Sequence, residues 1–207
     1  MPILFERLNS SFQIIVYEIE HKADYYKDGI DFTAFDQNEF DAIVNPLKQL
    51  QWLASRYWVK KLSKQRHQLH LEKTELGKPH FTNYPLKFSI SHSRSYIAVI
   101  CSETNDVAID IEVIQDKVLK IKHKFLHPND FEQGDDIERL AMIWSAKETI
   151  YKHYHTKDLY SFKEQIALES CSNTSMNYKL SNFQNQKHSE VFYKKIEGAI
   201  LTWIIDN

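Results

Sequence analysis

Residues 88–93 read FSISHS, residues 107–112 VAIDIE and residues 144–152 WSAKETIYK, and the rest of the chain is interpreted outward from these three pieces. In VAIDIE the apolar run Val107, Ala108, Ile109 ends in Asp110, Ile111, Glu112. Strand side chains alternate in direction, so Asp110 and Glu112 share one face while Ile111 takes the other. In WSAKETIYK, helical spacing sets Trp144, Glu148 and Lys152 in one row and leaves Ile143, Ile150 and Tyr154 for the core. Two carboxylates thus leave a strand, and a third stands on a helix with a lysine one turn further on.

Carboxylates converging at the edge of a core repel one another and lose hydration unless a cation joins them, and a set with oxygen ligands only suits a hard ion. Magnesium fits this description. Held by few carboxylates, it keeps waters and takes further oxygens from a substrate phosphate, so a phosphate substrate is implied. Gly77, Lys78 and Pro79 place a lysine on a turn upstream, and Ser91, His92 and Ser93 place hydroxyls and an imidazole at the end of a short strand. These groups can donate to phosphate oxygens.

Taken in order, GKP, SHS, DIE and WSAKETIYK resemble the motifs of the 4'-phosphopantetheinyl transferases, in particular their long, pseudo-dimeric class. The likeness spans residues 77–152, and LASRYWVKKL at 53–62 extends it more weakly to an earlier helix. Each short string alone is common by chance; the ordered set is specific. The resemblance implies an α+β fold of two similar subdomains related by a pseudo-twofold, with the active site in the cleft between them. The expected subdomains are residues 1–104 and 105–207. It implies magnesium-dependent transfer of phosphopantetheine from coenzyme A to a serine of an apo carrier protein, releasing 3',5'-ADP. Asp110, Glu112 and Glu148 would hold the metal. Arg56, Lys78, Pro79, Ser91, His92 and Lys152 would hold coenzyme A, with Ser91 and Arg56 nearer its 3'-phosphate. Glu148 and Lys152 would act on the proton of the serine and on the leaving phosphate. The family usually has glycine at the position of Ala108 and often asparagine at that of Ser89.

Between the DIE strand and the WSAKE helix, DKVLKIKHKFL at 116–126 reads as an amphipathic helix. Lys117, Lys120 and Lys124 make one ridge, and Val118, Ile121, Lys122 and Phe125 the next. This is either a core helix with a solvated basic side or a docking surface for an acidic helical carrier protein. In the second case the lysines steer and Ile121 or Phe125 anchors.

The chain of 207 residues is long enough for one domain or two small ones. Twenty-six Lys and Arg against twenty-eight Asp and Glu leave a net charge of -2, which argues against nucleic acid and leaves electrostatic partners to local patches. Cys101, in an apolar run, and Cys171 make no disulfide framework. The first residues lack the pattern of a signal peptide and no run reaches a membrane span, so a cytoplasmic protein is expected. With four glycines and five prolines there is no flexible linker, so two halves would be packed together, and the class implies a monomer.

The remaining pattern predicts a strand over 12–19, an Asp28-Gly29 turn, and helix over 36–64 broken near Asn45-Pro46. The basic face of that helix, Lys48, Arg56, Lys60, Lys61 and Lys64, reads as solvated apart from Arg56. Residues 65–76 read as a charged connector. Strands are expected near 80–83, 87–91, 96–102 and 107–112, and again near 162–169, 175–182 and 190–205. His123 and His127 are four apart, but Pro128 ends the helix there and no HExxH pattern is present. His67 with His70 and His153 with His155 make weaker pairs still. Two other functions compete: a magnesium-dependent phosphohydrolase or nuclease, and a binding module for coenzyme A or a carrier protein that has lost activity.

Overall fold

The computed structural model describes residues 3–63, 69–130, 134–181 and 187–206. Lys64, His67 and parts of the expected 65–76 connector and 175–182 strand therefore lie outside the described residues. The fold is mixed α+β, and the chain divides into two compact units, Met1–Val107 with Asp206–Asn207, and Ala108–Ile205.

In the first unit, β1 (Ile3–Leu8) and β2 (Gln13–Glu18) form an antiparallel pair. The helices α1 (Ala23–Lys27), α2 (Ala34–Asp41) and α3 (Pro46–Leu62) follow. A two-stranded ladder of β3 (Leu71–Lys73) and β4 (Pro79–Phe81) precedes the hairpin of β5 (Lys87–Ser93) and β6 (Tyr96–Ser102). The four-stranded sheet runs β1-β2-β6-β5, so the strand before the helices lies beside the last strand after them.

Local chemistry sets these boundaries. Thr33 and Asp36 close a capping box at α2, each side chain bonding the other's backbone N–H. Asn45 caps α3 by accepting from the Lys48 N–H, and Pro46 takes the first helical position, where it has no N–H to lose. The chain break expected at Asn45-Pro46 is therefore the start of a helix. From there Leu53, Ala54, Trp58 and Leu62 of α3 pack on Tyr17, Phe88, Ile97 and Val99 of the sheet. Two expectations need amending: 71–73, read as connector, pairs as a strand, and α1 precedes the Asp28-Gly29 turn.

The second unit contains most of β7 (Asp106–Val113), then α4 (Lys117–Phe125), α5 (Ile137–Tyr154) and α6 (Phe162–Gln165). The meander β8 (Ile166–Cys171), β9 (Ser175–Leu180), β10 (Lys187–Ile196) and β11 (Ala199–Asp206) completes it. Its sheet runs β7-β11-β10-β9-β8, and here too the strand before the helices lies beside the last one. The apolar run 190–205 is two strands rather than one. It turns at Glu197, in the left-handed region at φ 48°, and Gly198.

Asp136 caps α5 by accepting from the N–H groups of Glu138 and Arg139, and His155 at φ 42° ends it. Ala146 and Ile150 of α5 pack on Met176, Tyr178, Val191 and Ile204 of the sheet. Beside them Lys147 is wholly buried. Its ammonium donates to Asp130 Oδ2 at 2.7 Å, to the Phe125 carbonyl at 2.7 Å and to the Ile166 carbonyl at 2.8 Å. Asp130 also accepts from the backbone N–H of His127 and Leu168. One ion pair thus ties the end of α4, the loop after it and the start of β8 to α5. Burial pulls the Lys147 ammonium down to about 8, against the opposing pull of Asp130.

Candidate active site

Strand alternation on β7 sends Asp110 and Glu112 toward α5, where the Trp144, Glu148 and Lys152 row meets them. Asp110 is buried. Its Oδ1 accepts from Lys152 Nζ at 2.7 Å and its Oδ2 from Ser145 Oγ at 2.7 Å. Lys152 also donates to the Ile109 carbonyl at 3.2 Å. Glu112 Oε1 accepts from the indole N–H of Trp144 at 3.2 Å. Burial raises the Glu148 carboxyl to about 7, with Asp110 adding to the rise, Lys152 opposing it and Glu112 adding the least. Lys152 thus faces three neighbouring carboxyls, and its single charge does not offset the burial and the like charges that raise Glu148.

That shortage of positive charge is what a hard divalent cation would relieve, so the chemistry of the donor set fits magnesium. As the side chains stand, no three His, Cys, Asp or Glu among the described residues gather to hold a metal. Asp110 accepts from Ser145 and Lys152, and Glu112 from Trp144.

The other expected ligands belong to the first unit. Lys78 follows Gly77, whose φ of 88° makes the turn, and pairs its backbone with Thr74. Burial lowers the Lys78 ammonium, Asp106 raises it and Lys87 lowers it further. Pro79 opens β4. On β5, Ser91 is buried and His92 exposed, as alternation requires. Arg56 is engaged within the unit. Its guanidinium lies over the Trp52 ring at 4.4 Å, donates to Glu39 Oε2 at 2.6 Å, and stands 3.4 Å from Asp36 Oδ1. Lys73 reaches the same Glu39 at 2.5 Å.

On α4, Lys117, Lys120 and Lys124 are exposed. Ile121 lines a groove beside Glu112 together with Lys117, Val118 and Trp144. Phe125 is different from expectation: it is wholly buried, with its ring 5.2 Å from that of Trp144, and cannot be an exposed anchor. The helix ends at Phe125, so His123 and His127 do not share a helical face, and the His127 Nδ1 accepts from the Asn129 N–H. Cys101 is buried in β6, and both cysteines are free thiols.

Several residues around the site carried no assigned role in the sequence reading: Ser145 and Trp144 against the strand carboxylates, Thr202 behind Ser145, and the Lys147–Asp130 pair. Thr202 had a local signal, as a lone hydroxyl in the apolar run AILTWII.

Residues 106–204 match the family described as the 4'-phosphopantetheinyl transferase superfamily. The match covers the C-terminal part of the chain, just under half of its length. A relative, the 4'-phosphopantetheinyl transferase gsp of Aneurinibacillus migulanus, is 31% identical over 107 residues, which is 48% of this chain and 44% of that protein. The chain therefore matches less than half the length of that transferase. Asp110, Glu112, Glu148 and Lys152 all lie within the superfamily match, whereas Arg56, Lys78, Pro79, Ser91 and His92 lie before it. Among the described residues no helix is long and apolar enough to cross a membrane.

Proposed function

We propose that this protein is a 4'-phosphopantetheinyl transferase of the long class, moving phosphopantetheine from coenzyme A to a serine of an apo carrier protein. The observation that carries this reading is that Lys152 pairs with Asp110, and both act with Glu112 on the charge of Glu148, within the stretch that matches the superfamily. In each unit a strand leads through helices into antiparallel strands, the last of which lies beside it, which supports reading the units as two versions of one subdomain.

Asp110, Glu112 and Glu148 would hold magnesium, which when bound supplies positive charge to the pyrophosphate of coenzyme A. Lys78 and His92 neutralise further phosphate charge, with Pro79 shaping the turn. Ser91 lies toward the 3'-phosphate. Arg56 reaches that phosphate only by exchanging Glu39 or Asp36 for it. The serine oxygen bonds to the β-phosphorus in line as the bond from that phosphorus to the oxygen of 3',5'-ADP breaks. Such transfer depends mainly on positioning and charge. Glu148, directly or through a water, is the candidate acceptor for the serine proton. Lys152, one turn on, offsets charge on the leaving phosphate.

The carrier protein would dock on α4, with Lys117, Lys120 and Lys124 steering an acidic helix and Ile121 contacting it at the groove. The test is intact-protein mass spectrometry of an apo carrier protein incubated with this chain, coenzyme A and magnesium, beside a chelator control. A gain of one phosphopantetheinyl group, absent with chelator, is expected. Coenzyme A binding without transfer to any of several carriers would favour the binding module, and hydrolysis of coenzyme A without a carrier would favour the phosphohydrolase.

A further inference from the structure

Behind Asp110 stand three hydroxyls with no solvent exposure, Ser145 and Thr149 on α5 and Thr202 on β11. Ser145 Oγ lies 2.7 Å from Asp110 Oδ2 and 2.9 Å from Thr202 Oγ1, and Thr202 Oγ1 lies 2.6 Å from Thr149 Oγ1. Each hydroxyl has one proton to give. A carboxylate facing the Lys152 ammonium only accepts, so Ser145 donates to Asp110. With all three contacts kept, Ser145 accepts from Thr202 and Thr202 from Thr149, whose Oγ1 also lies 3.4 Å from the Thr202 carbonyl. The network runs one way and ends on one carboxylate oxygen.

A hydroxyl buried without a partner costs free energy, and core packing alone is served by alanine or valine at such positions. The three are tied to one another and to Asp110, and they come from the two elements that flank it: the helix opposite and the neighbouring strand of the sheet. We infer that Ser145, Thr202 and Thr149 are positioning residues that hold Asp110 by Oδ2 and thereby orient it as a cation ligand. This rests on the reading of Asp110 as a ligand in the proposed transferase. Fixing one oxygen from behind removes the rotation of the carboxyl group, so binding an ion no longer has to order it; outer partners of this kind support metal affinity by about 10–100-fold.

The experiment is a titration of the full-length chain with Mn²⁺, free ion being read by electron paramagnetic resonance, with phosphopantetheinyl transfer assayed in parallel. Ser145→Ala and Thr202→Val are expected to weaken Mn²⁺ binding by about tenfold. Ser145→Thr, which keeps the hydroxyl, restores most of it. A merely structural role would lower the unfolding temperature of these variants and leave Mn²⁺ affinity in the folded protein unchanged. Folded Ser145→Ala binding Mn²⁺ like the wild type, or folded Ser145→Thr binding no better than Ser145→Ala, overturns the inference while transfer by the wild type leaves the proposed function standing. A wild-type chain that neither binds Mn²⁺ nor transfers overturns both.

Discussion

Replacing Glu148 by glutamine should make the protein more stable and inactive at once. In the folded chain the carboxyl is raised from 4.5 to about 7 by burial and by Asp110, and Lys152 only partly offsets this. Between those values the folded chain keeps a proton that the unfolded chain has released. Stability therefore falls as pH rises through this window, and the deficit is complete above about pH 7. At about 1.4 kcal/mol per pH unit the gap corresponds to on the order of 3 kcal/mol. Glutamine has the same shape and no charge, so Glu148→Gln should recover up to that amount at about pH 8 and little below about pH 4.5. The assay is urea unfolding of both proteins in chelator across this pH range. Saturating magnesium should then stabilise the wild type at the higher pH, by about 2.7 kcal/mol at a hundredfold excess over its dissociation constant, and stabilise the variant less. A Glu148→Gln protein no more stable than the wild type at about pH 8, or a gain that is flat with pH, would refute the reasoning.

Lys152→Ala should lower turnover by about 100-fold or more with a smaller change in coenzyme A affinity; an effect confined to affinity, by calorimetry against steady-state kinetics, would remove the lysine from the chemical step. Lys147→Met should cost about 3–5 kcal/mol in chemical unfolding, because it leaves Asp130 buried without its counter-charge. A loss below about 1 kcal/mol would show that this pair does not hold α4, β8 and α5 together. Reversing Lys117, Lys120 and Lys124 to glutamate should raise the Michaelis constant for the carrier protein at low salt and converge on the wild type as salt screens the patch. An unchanged constant at low salt would return this ridge to plain solvated surface.

Asp110, Glu112, Glu148 and Lys152 were legible in the chain because strand alternation and the helical repeat are local rules: both depend only on residues within a turn or a strand of one another. The α3 start at Asn45-Pro46 and the amphipathic α4 were legible for the same reason. What could not be read is whatever depends on which element lies beside which. The exposed strand β1, with no regular alternation of burial, gave no periodic signal and was recognised only by its pairing with β2. Phe125 looked like an outward anchor until the orientation of α4 put it against Trp144, and Arg56 looked available until α2 brought Asp36 and Glu39 to it. Ser145 and Thr202 are 57 positions apart and meet because β11 returns beside β7 under α5. The sequence by itself determined which faces of β7 and α5 Asp110, Glu112, Glu148 and Lys152 occupy, since short-range backbone geometry decides this. Tertiary structure alone decided which hydroxyls support Asp110, which cation is buried and which apolar residue is covered, because those follow from packing between segments far apart in the chain.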